Sequence, residues 1–181
     1  LDHNLVYRTE PLVPRNGRVR VLLEGEIANP LKGMREAFMA VRDLDCEVSC
    51  ISSRGKPDPE WRCDRFFEAV PYDQMKYIYS SCDILLKMSR LESFMYPPLE
   101  MMACGGTAVV AEVDGIDEYL RHGYNALIVP QDIEAASGAV RLLIEDVNLR
   151  QRLIQGGQET ARWWNWDRGI DVLEREFGRK S

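Results

Sequence analysis

The sequence predicts an α/β domain: a doubly wound, Rossmann-like parallel sheet of about six strands with helices on both faces. Three observations predict it. Short β-rich apolar runs alternate with segments whose apolar residues recur at helical spacing. One of those runs, Asp83 to Met88, is mostly apolar without strict alternation, as expected of a strand buried on both faces of a parallel sheet. Strands alternating with helices at these lengths require right-handed crossovers, which cover both sides of the sheet.

In chain order, Val19 to Leu23 is the first strand, and Gly25 through Gly33 breaks it. Met34, Ala37, Phe38, Val41 and Leu44 then mark one face of a helix. Cys46 to Ile51 returns to strand, a turn rich in glycine and proline follows, and Arg65 to Val70 is the third strand. Met75, Ile78, Tyr79 and Cys82 give helical spacing before the fourth strand at Asp83–Met88. Pro97 to Cys104 reads as a helix with proline in its first turn, stopped by Gly105-Gly106. Thr107 to Ala111 is strand, Asp117 to Arg121 a short helix, and Ala126 to Val129 the last strand. Helices are expected from Ile133 to Val147, from Leu149 to Ala161, and over Trp166, Ile170, Leu173 and Phe177.

The chain has 181 residues, the size of one domain with a real core. Residues 1–18 read as an interdomain linker or edge segment and 163–181 as the C-terminal helix region. The start, Leu1-Asp2-His3, has neither an initiator Met nor a signal-peptide pattern, so the chain reads as a piece of something longer. Hydrophobic residues at 45% and charged residues at 29% fit a globular chain rather than a disordered one. Runs such as Ala108–Ala111 are far short of the ~20 residues a membrane span needs. With 29 acidic against 23 basic residues and a net charge of -6, general binding to nucleic acid is disfavoured. Five scattered cysteines lack a C-x-x-C pair, which argues against a disulfide framework or zinc site and fits a reducing cytoplasm. Two histidines, His3 and His122, leave few candidates for metal or His-dependent chemistry.

Chemistry is expected where strands end. After the first strand comes Gly25-Glu26-Ile27-Ala28-Asn29-Pro30-Leu31-Lys32-Gly33, where backbone N–H groups and one ammonium could face an anion. A glycine-bounded turn with a solvated lysine explains the same residues. After the fourth strand, Glu92 and Glu100 are separated by seven residues, among them Ser93, Phe94 and two prolines. Glu92 is expected at the strand end and Glu100 in the first turn of the following helix, both directed at the crevice. A carboxylate accepts two hydroxyl donors at once, which suits a ribose diol or a hexose. Alternatively, Glu100 offsets the positive helix end and Glu92 is a surface residue.

The ordered series Gly25…Lys32-Gly33, Ser89…Glu92-Ser93-Phe94…Pro97…Leu99-Glu100-Met101-Met102-Ala103-Cys104-Gly105, Val109-Val110, Gly115-Ile116-Asp117-Glu118 and Gly123 to Val129 resembles the C-terminal, donor-binding half of a retaining glycosyltransferase of the GT-B fold, group 1 (family 4) type. The match runs from about Val19 to Asp167, and its specific part is the E-x7-E block followed by Met-Ala-Cys-Gly.

The resemblance implies that Lys32 contacts the donor diphosphate, that Glu100 grips the ribose hydroxyls and that Glu92 faces the transferred sugar. It also implies a base pocket formed by the main chain of Val70 and the ring of Tyr72, with Gly25, Gly33, Ser93 and Phe94 completing the donor site. The donor is a nucleoside diphosphate sugar and a substrate; no cofactor or metal is implied. The partner is an N-terminal acceptor-binding domain, through which any peripheral membrane association would act.

Two positions depart from the family pattern. Glu26 stands where an arginine commonly makes a second diphosphate contact, and the loop to Lys32 is one residue longer. Arg35, Arg54, Lys87 and Arg90 are the cations available to substitute. Met95 stands where glycine is usual, which puts a side chain where the backbone would approach the donor. Trp163-Trp164-Asn165-Trp166 resembles the family's aromatic segment, read as core packing with part of it against the other domain. Two other readings remain: a nucleotide-sugar epimerase of related fold, and a non-catalytic nucleotide-binding or scaffold module.

Overall fold

A computed structural model describes residues 1–14 and 16–178. Six strands form one all-parallel sheet: β1 (Arg20–Glu24), β2 (Glu47–Ser52), β3 (Arg65–Glu68), β4 (Ile84–Lys87), β5 (Thr107–Ala111) and β6 (Ala126–Val129). Their order is β3-β2-β1-β4-β5-β6. The chain therefore winds outward from β1 in one direction and then from β4 in the other. The switch lies between β1 and β4, where Leu22 sits beside Leu85, and such sheets bind ligands outside the carboxyl ends of strands at that point.

Both faces of the sheet are buried, which is why β4 and β5 lack polar alternation. Val21, Leu23, Ile84, Leu86 and Val109 pack on one face with α1 (Met34–Val41) and α4 (Ile133–Glu145). Leu22, Leu85, Ala108 and Val110 pack on the other with α2 (Met75–Tyr79) and α3 (Tyr96–Ala103), over which α5 (Val147–Trp163) lies. A final helix, α6, spans Trp166–Phe177.

The N-terminal segment is fastened along the domain. Val6 is fully buried, and the amides of Thr9 and Val13 donate to the hydroxyls of Ser80 and Ser81. Arg20, also buried, ties this segment to the sheet: Nε donates to Glu47 at 2.8 Å and Nη1 to the carbonyl of Val13 at 2.9 Å.

Several expected boundaries move. The third strand ends at Glu68, not Val70, because Ala69 adopts φ 48° and Pro71 follows. Asp117 to Arg121 is a turn rather than a helix, closed by a single bond from Leu120 N to the carbonyl of Ile116. The helix expected to reach Val147 stops at Glu145, since Asp146 caps the next helix through Leu149 N. That next helix begins at Val147 and runs to Trp163, longer at both ends than Leu149 to Ala161. The helices at Met34 and Met75 end early, at Val41 and Tyr79.

Candidate functional site

The loop after β1 is built around two close approaches. Gly33 sits at φ 61°, and a Cβ there would lie 1.9 Å from the carbonyl oxygen of Met88. Only glycine fits where this loop meets the end of β4. At Gly25 a Cβ would come within 2.8 Å of Met34 Sδ. Between them a 3-10 turn, Pro30–Lys32, is capped by the side chain of Asn29, and it carries Lys32 to the switch point.

Most backbone N–H groups of the loop itself are already bonded within the protein. Gly25 N donates to Ile51, Ile27 N to Ser52 Oγ, Ala28 N to Arg54 and Asn29 N to Glu26. Leu31 N and Lys32 N donate to Asn29, and Gly33 N to Pro30. The bonds from Gly25, Ile27 and Ala28 hold the loop against the end of β2, and the Lys32 side chain adds a full positive charge beside the first turn of α1.

The loop after β4 is pinned to the loop after β1 by Arg90 N, which donates to the carbonyl of Leu31 at 2.8 Å. Gln131 holds it from another side, its amide nitrogen 2.6 Å from the carbonyl of Ser89. Glu92 is thereby brought across the switch point, with Oε1 accepting from Lys32 Nζ at 2.9 Å. The two residues line a cavity of ≈ 430 Å³ together with Asn29, Leu31, Leu91 and Ser93. Glu92 and Lys32, 60 residues apart, thus meet in one place.

Glu100 lies a turn deeper in α3 than the first turn expected of it, so it does not offset the helix end. It is buried, with Oε1 accepting from Tyr72 Oη and Oε2 from Tyr79 Oη, both at 2.9 Å. Burial is the chief reason its pKa is raised above 4.5, opposed by those two phenols. Both phenols are in turn pushed well above their usual range by burial and the neighbouring carboxylate, so they remain donors at neutral pH. A second cavity of ≈ 440 Å³ opens over Glu100, lined by Leu1, Asp2, Leu5, Tyr72 and Tyr96. Tyr72, at the start of a 3-10 turn after β3, thus borders the same space as Glu100, while half-buried Val70 packs on the core beneath.

Phe94 is placed differently. Its ring packs among Tyr96, Tyr119 and Trp164 at centroid distances of 4.7, 5.3 and 5.6 Å, so it braces the loop from behind. Ser93 is exposed, and its carbonyl faces Gly115 of the loop after β5. Trp164 joins the core as expected and Trp163 is exposed; the side chain of Trp166 lies outside the described residues.

Met95 does not obstruct the crevice. Its side chain is buried in the core beside Leu99, its φ of -90° needs no glycine, and its carbonyl accepts from Tyr119 Oη. Glu26 is held in an ion pair, Oε1 lying 2.6 Å from Arg54 Nη2 without hydrogen-bond alignment. Three of the four cations weighed as its substitutes are engaged: Arg54 with Glu26, Arg90 with Glu36 at 2.8 Å, and buried Lys87 with Glu24 at 2.6 Å. Arg35 is exposed on the first turn of α1.

Sequence reasoning missed Tyr79. Its spacing with Met75, Ile78 and Cys82 marks it as core, and the core is where it lies, fully buried. Its hydroxyl nevertheless fixes one oxygen of Glu100, and the signal available was a tyrosine among aliphatic core positions, whose hydroxyl must find a partner.

Comparison with known proteins identifies a family and a fold. A family model described as glycosyl transferases group 1 matches residues 65–160. The O-antigen biosynthesis protein RfbC of Myxococcus xanthus is 27% identical over 179 residues, covering 94% of this chain and 14% of that protein. D-inositol 3-phosphate glycosyltransferase of Salinispora tropica is 30% identical over 115 residues, covering 63% of this chain and 24% of that enzyme. The chain thus spans less than a quarter of the length of these two relatives. In fold it is similar to HepE of Anabaena, solved in complex with UDP-glucose, with a TM-score of 0.81 at 18% identity over 100% of this chain and 56% of that one.

Proposed function

The chain belongs to the group 1 glycosyl transferases, and we propose that it is the donor-binding half of a retaining glycosyltransferase, taking a nucleoside diphosphate sugar and passing the sugar to an acceptor held by the other half. The observation that carries this reading is the pairing at the switch point. One carboxylate, Glu92, shares a cavity with the ammonium of Lys32, and another, Glu100, borders a second cavity lined by the ring of Tyr72. An ammonium for a diphosphate, a carboxylate for hydroxyls and an aromatic wall for a base are the chemistry a nucleotide sugar requires. The UDP-glucose bound to HepE supports the same donor class.

In this reading Glu100 accepts from the ribose hydroxyls, with Tyr79 holding its far oxygen in place. Lys32 stabilises the negative charge that develops on the departing diphosphate, the largest electrostatic demand of the transfer, without a metal. Glu92 faces the sugar, orienting its hydroxyls and stabilising charge near the anomeric carbon. Departure and attack occur on one face, so retention needs no covalent bond to Glu92. By itself the chain binds donor and transfers nothing. Five free cysteines fit work in a reducing, cytoplasmic setting. Among the described residues no helix is long and apolar enough to cross a membrane.

Calorimetric titration with UDP, GDP and ADP, and with the matching nucleosides, tests this. At least one diphosphate should bind. Lys32→Ala should weaken the diphosphate and leave the nucleoside unchanged, because an ammonium beside two phosphates matters only when they are present. Absence of binding by every diphosphate overturns the reading, and equal losses for both ligands make Lys32 structural.

A further inference from the structure

The two charged groups assigned to different parts of the donor are bonded to each other. Lys32 Nζ and Glu92 Oε1 stand 2.9 Å apart, their side chains 27% and 13% exposed. Each comes from a loop whose backbone is fixed. The Lys32 turn is capped by Asn29 and locked at Gly33 against Met88, and the Glu92 loop is held by Arg90 N and Gln131. What can move is the pair of side chains.

A diphosphate entering this cavity carries more negative charge than one carboxylate and offers more oxygens to the ammonium. It also repels a carboxylate left beside it, since like charges at such range cost free energy in a partly dry site. From this we infer that the Lys32–Glu92 ion pair is a latch opened by the diphosphate: the ammonium passes from Glu92 to the phosphate oxygens, and the freed carboxylate turns to the sugar hydroxyls. The inference rests on the donor-site reading above and adds a coupling between its two halves.

The coupling has a direction. With an intact sugar donor, Glu92 exchanges one partner for several hydroxyl donors. With the nucleoside diphosphate product, it loses Lys32 and gains nothing, so the latch favours closing again and expelling the product. Glu92 therefore opposes the binding of nucleoside diphosphate, whereas a carboxylate that touches only sugar would leave that affinity unchanged.

The test is a double-mutant cycle on Lys32→Ala and Glu92→Gln, titrated with UDP, GDP and ADP. Glutamine keeps the shape of Glu92 and removes its charge. Glu92→Gln should bind the diphosphate about three- to tenfold more tightly than the parent, the range for a mostly buried ion pair that a charged ligand must break. In the Lys32→Ala background the same change should alter affinity less than twofold. Unchanged or weaker binding by Glu92→Gln overturns the latch while the donor-site reading stands. An equal gain in both backgrounds also overturns it, because carboxylate–phosphate repulsion alone would then account for the effect. If the parent binds none of the three diphosphates, the donor-site reading falls and the latch with it.

Discussion

Glu100 shows how much one buried carboxylate depends on its neighbours. Its two oxygens each accept a phenol, Tyr72 at the cavity wall and Tyr79 in the core, so Glu100→Ala also strands the hydroxyl of Tyr79. That costs about 1–3 kcal/mol of stability in addition to lost ligand contacts. Glu100→Gln is the cleaner variant, and it should weaken nucleoside diphosphate binding by about 1.5–3 kcal/mol, the scale of hydrogen bonds to a charged partner, as read by calorimetry. The pH dependence has a definite sign. A carboxyl whose folded pKa is raised above 4.5 binds more protons folded than unfolded between those values, so its contribution to stability falls as pH rises through that window. Ligand affinity follows the ionised form and should drop on acidification at a pH above the ordinary glutamate range. In Glu100→Gln both slopes should vanish, and a persisting slope would assign the titration elsewhere. Glu92 and Glu100 were visible as a local E-x7-E pair and Lys32 in the glycine-bounded turn after the first strand, and the family resemblance supplied their roles. The sequence hid Tyr79, Glu24 and the Lys32–Glu92 bond, which exist only once strands distant in sequence lie side by side.

Elements were legible where apolar periodicity was strong, and all six strands lie where it put them. Their ends were less so, because single residues decide them. Ala69 in the left-handed region ends β3, and Asp146 as a cap divides a periodic stretch into α4 and α5. The same kind of local decision holds the site. Gly33→Ala would need both φ 61° and room where the carbonyl of Met88 stands. It should cost about 2 kcal/mol or more in chemical denaturation and, by shifting Lys32, lower diphosphate affinity as well. The opposite end of the sheet separates stability from binding. Glu47 accepts from Arg20 and Arg65 at 2.8 Å, joining β1, β2 and β3 where those strands begin, and these partners hold its pKa at about 2. A lowered carboxyl pKa contributes stability above 4.5 that is lost as pH falls toward 2. Glu47→Gln should therefore unfold more easily at neutral pH, by about 3 kcal/mol, and flatten the acid limb of a melting-temperature profile. Its ligand affinity should match the parent, since this network lies at the amino ends of the strands; a matching loss of affinity would contradict that separation.

At the scale of the whole molecule, the chain spans less than a quarter of the two relatives above, and the proposed function makes it one wall of a reaction site. Trp163 at 57% exposed, Ile170 at 48% and Phe177 at 72% stand outside the two cores. On that reading, turnover is to be measured in an enzyme holding both halves, where the proposed role of Glu92 meets its hardest test. Interactions that strengthen only in the transition state raise kcat without tightening substrate. Glu92→Gln should lower kcat at least about a hundredfold, the order for one well-placed electrostatic group. The rival account is that Glu92 serves the fold by bridging the loops after β1 and β4 through Lys32. Those loops are also joined by Arg90 N to Leu31 and by Gly33 against Met88, and glutamine still offers Lys32 an acceptor, so losing the charge of this mostly buried pair should cost about 1 kcal/mol. In a domain of this size that is a shift of roughly 2–4 °C in Tm. A small change in Tm with a large loss of kcat supports the role in transfer. A Tm lowered by ten degrees or so, about three times that allowance, with turnover near that of the parent, would show that Glu92 holds the two loops together and does no more.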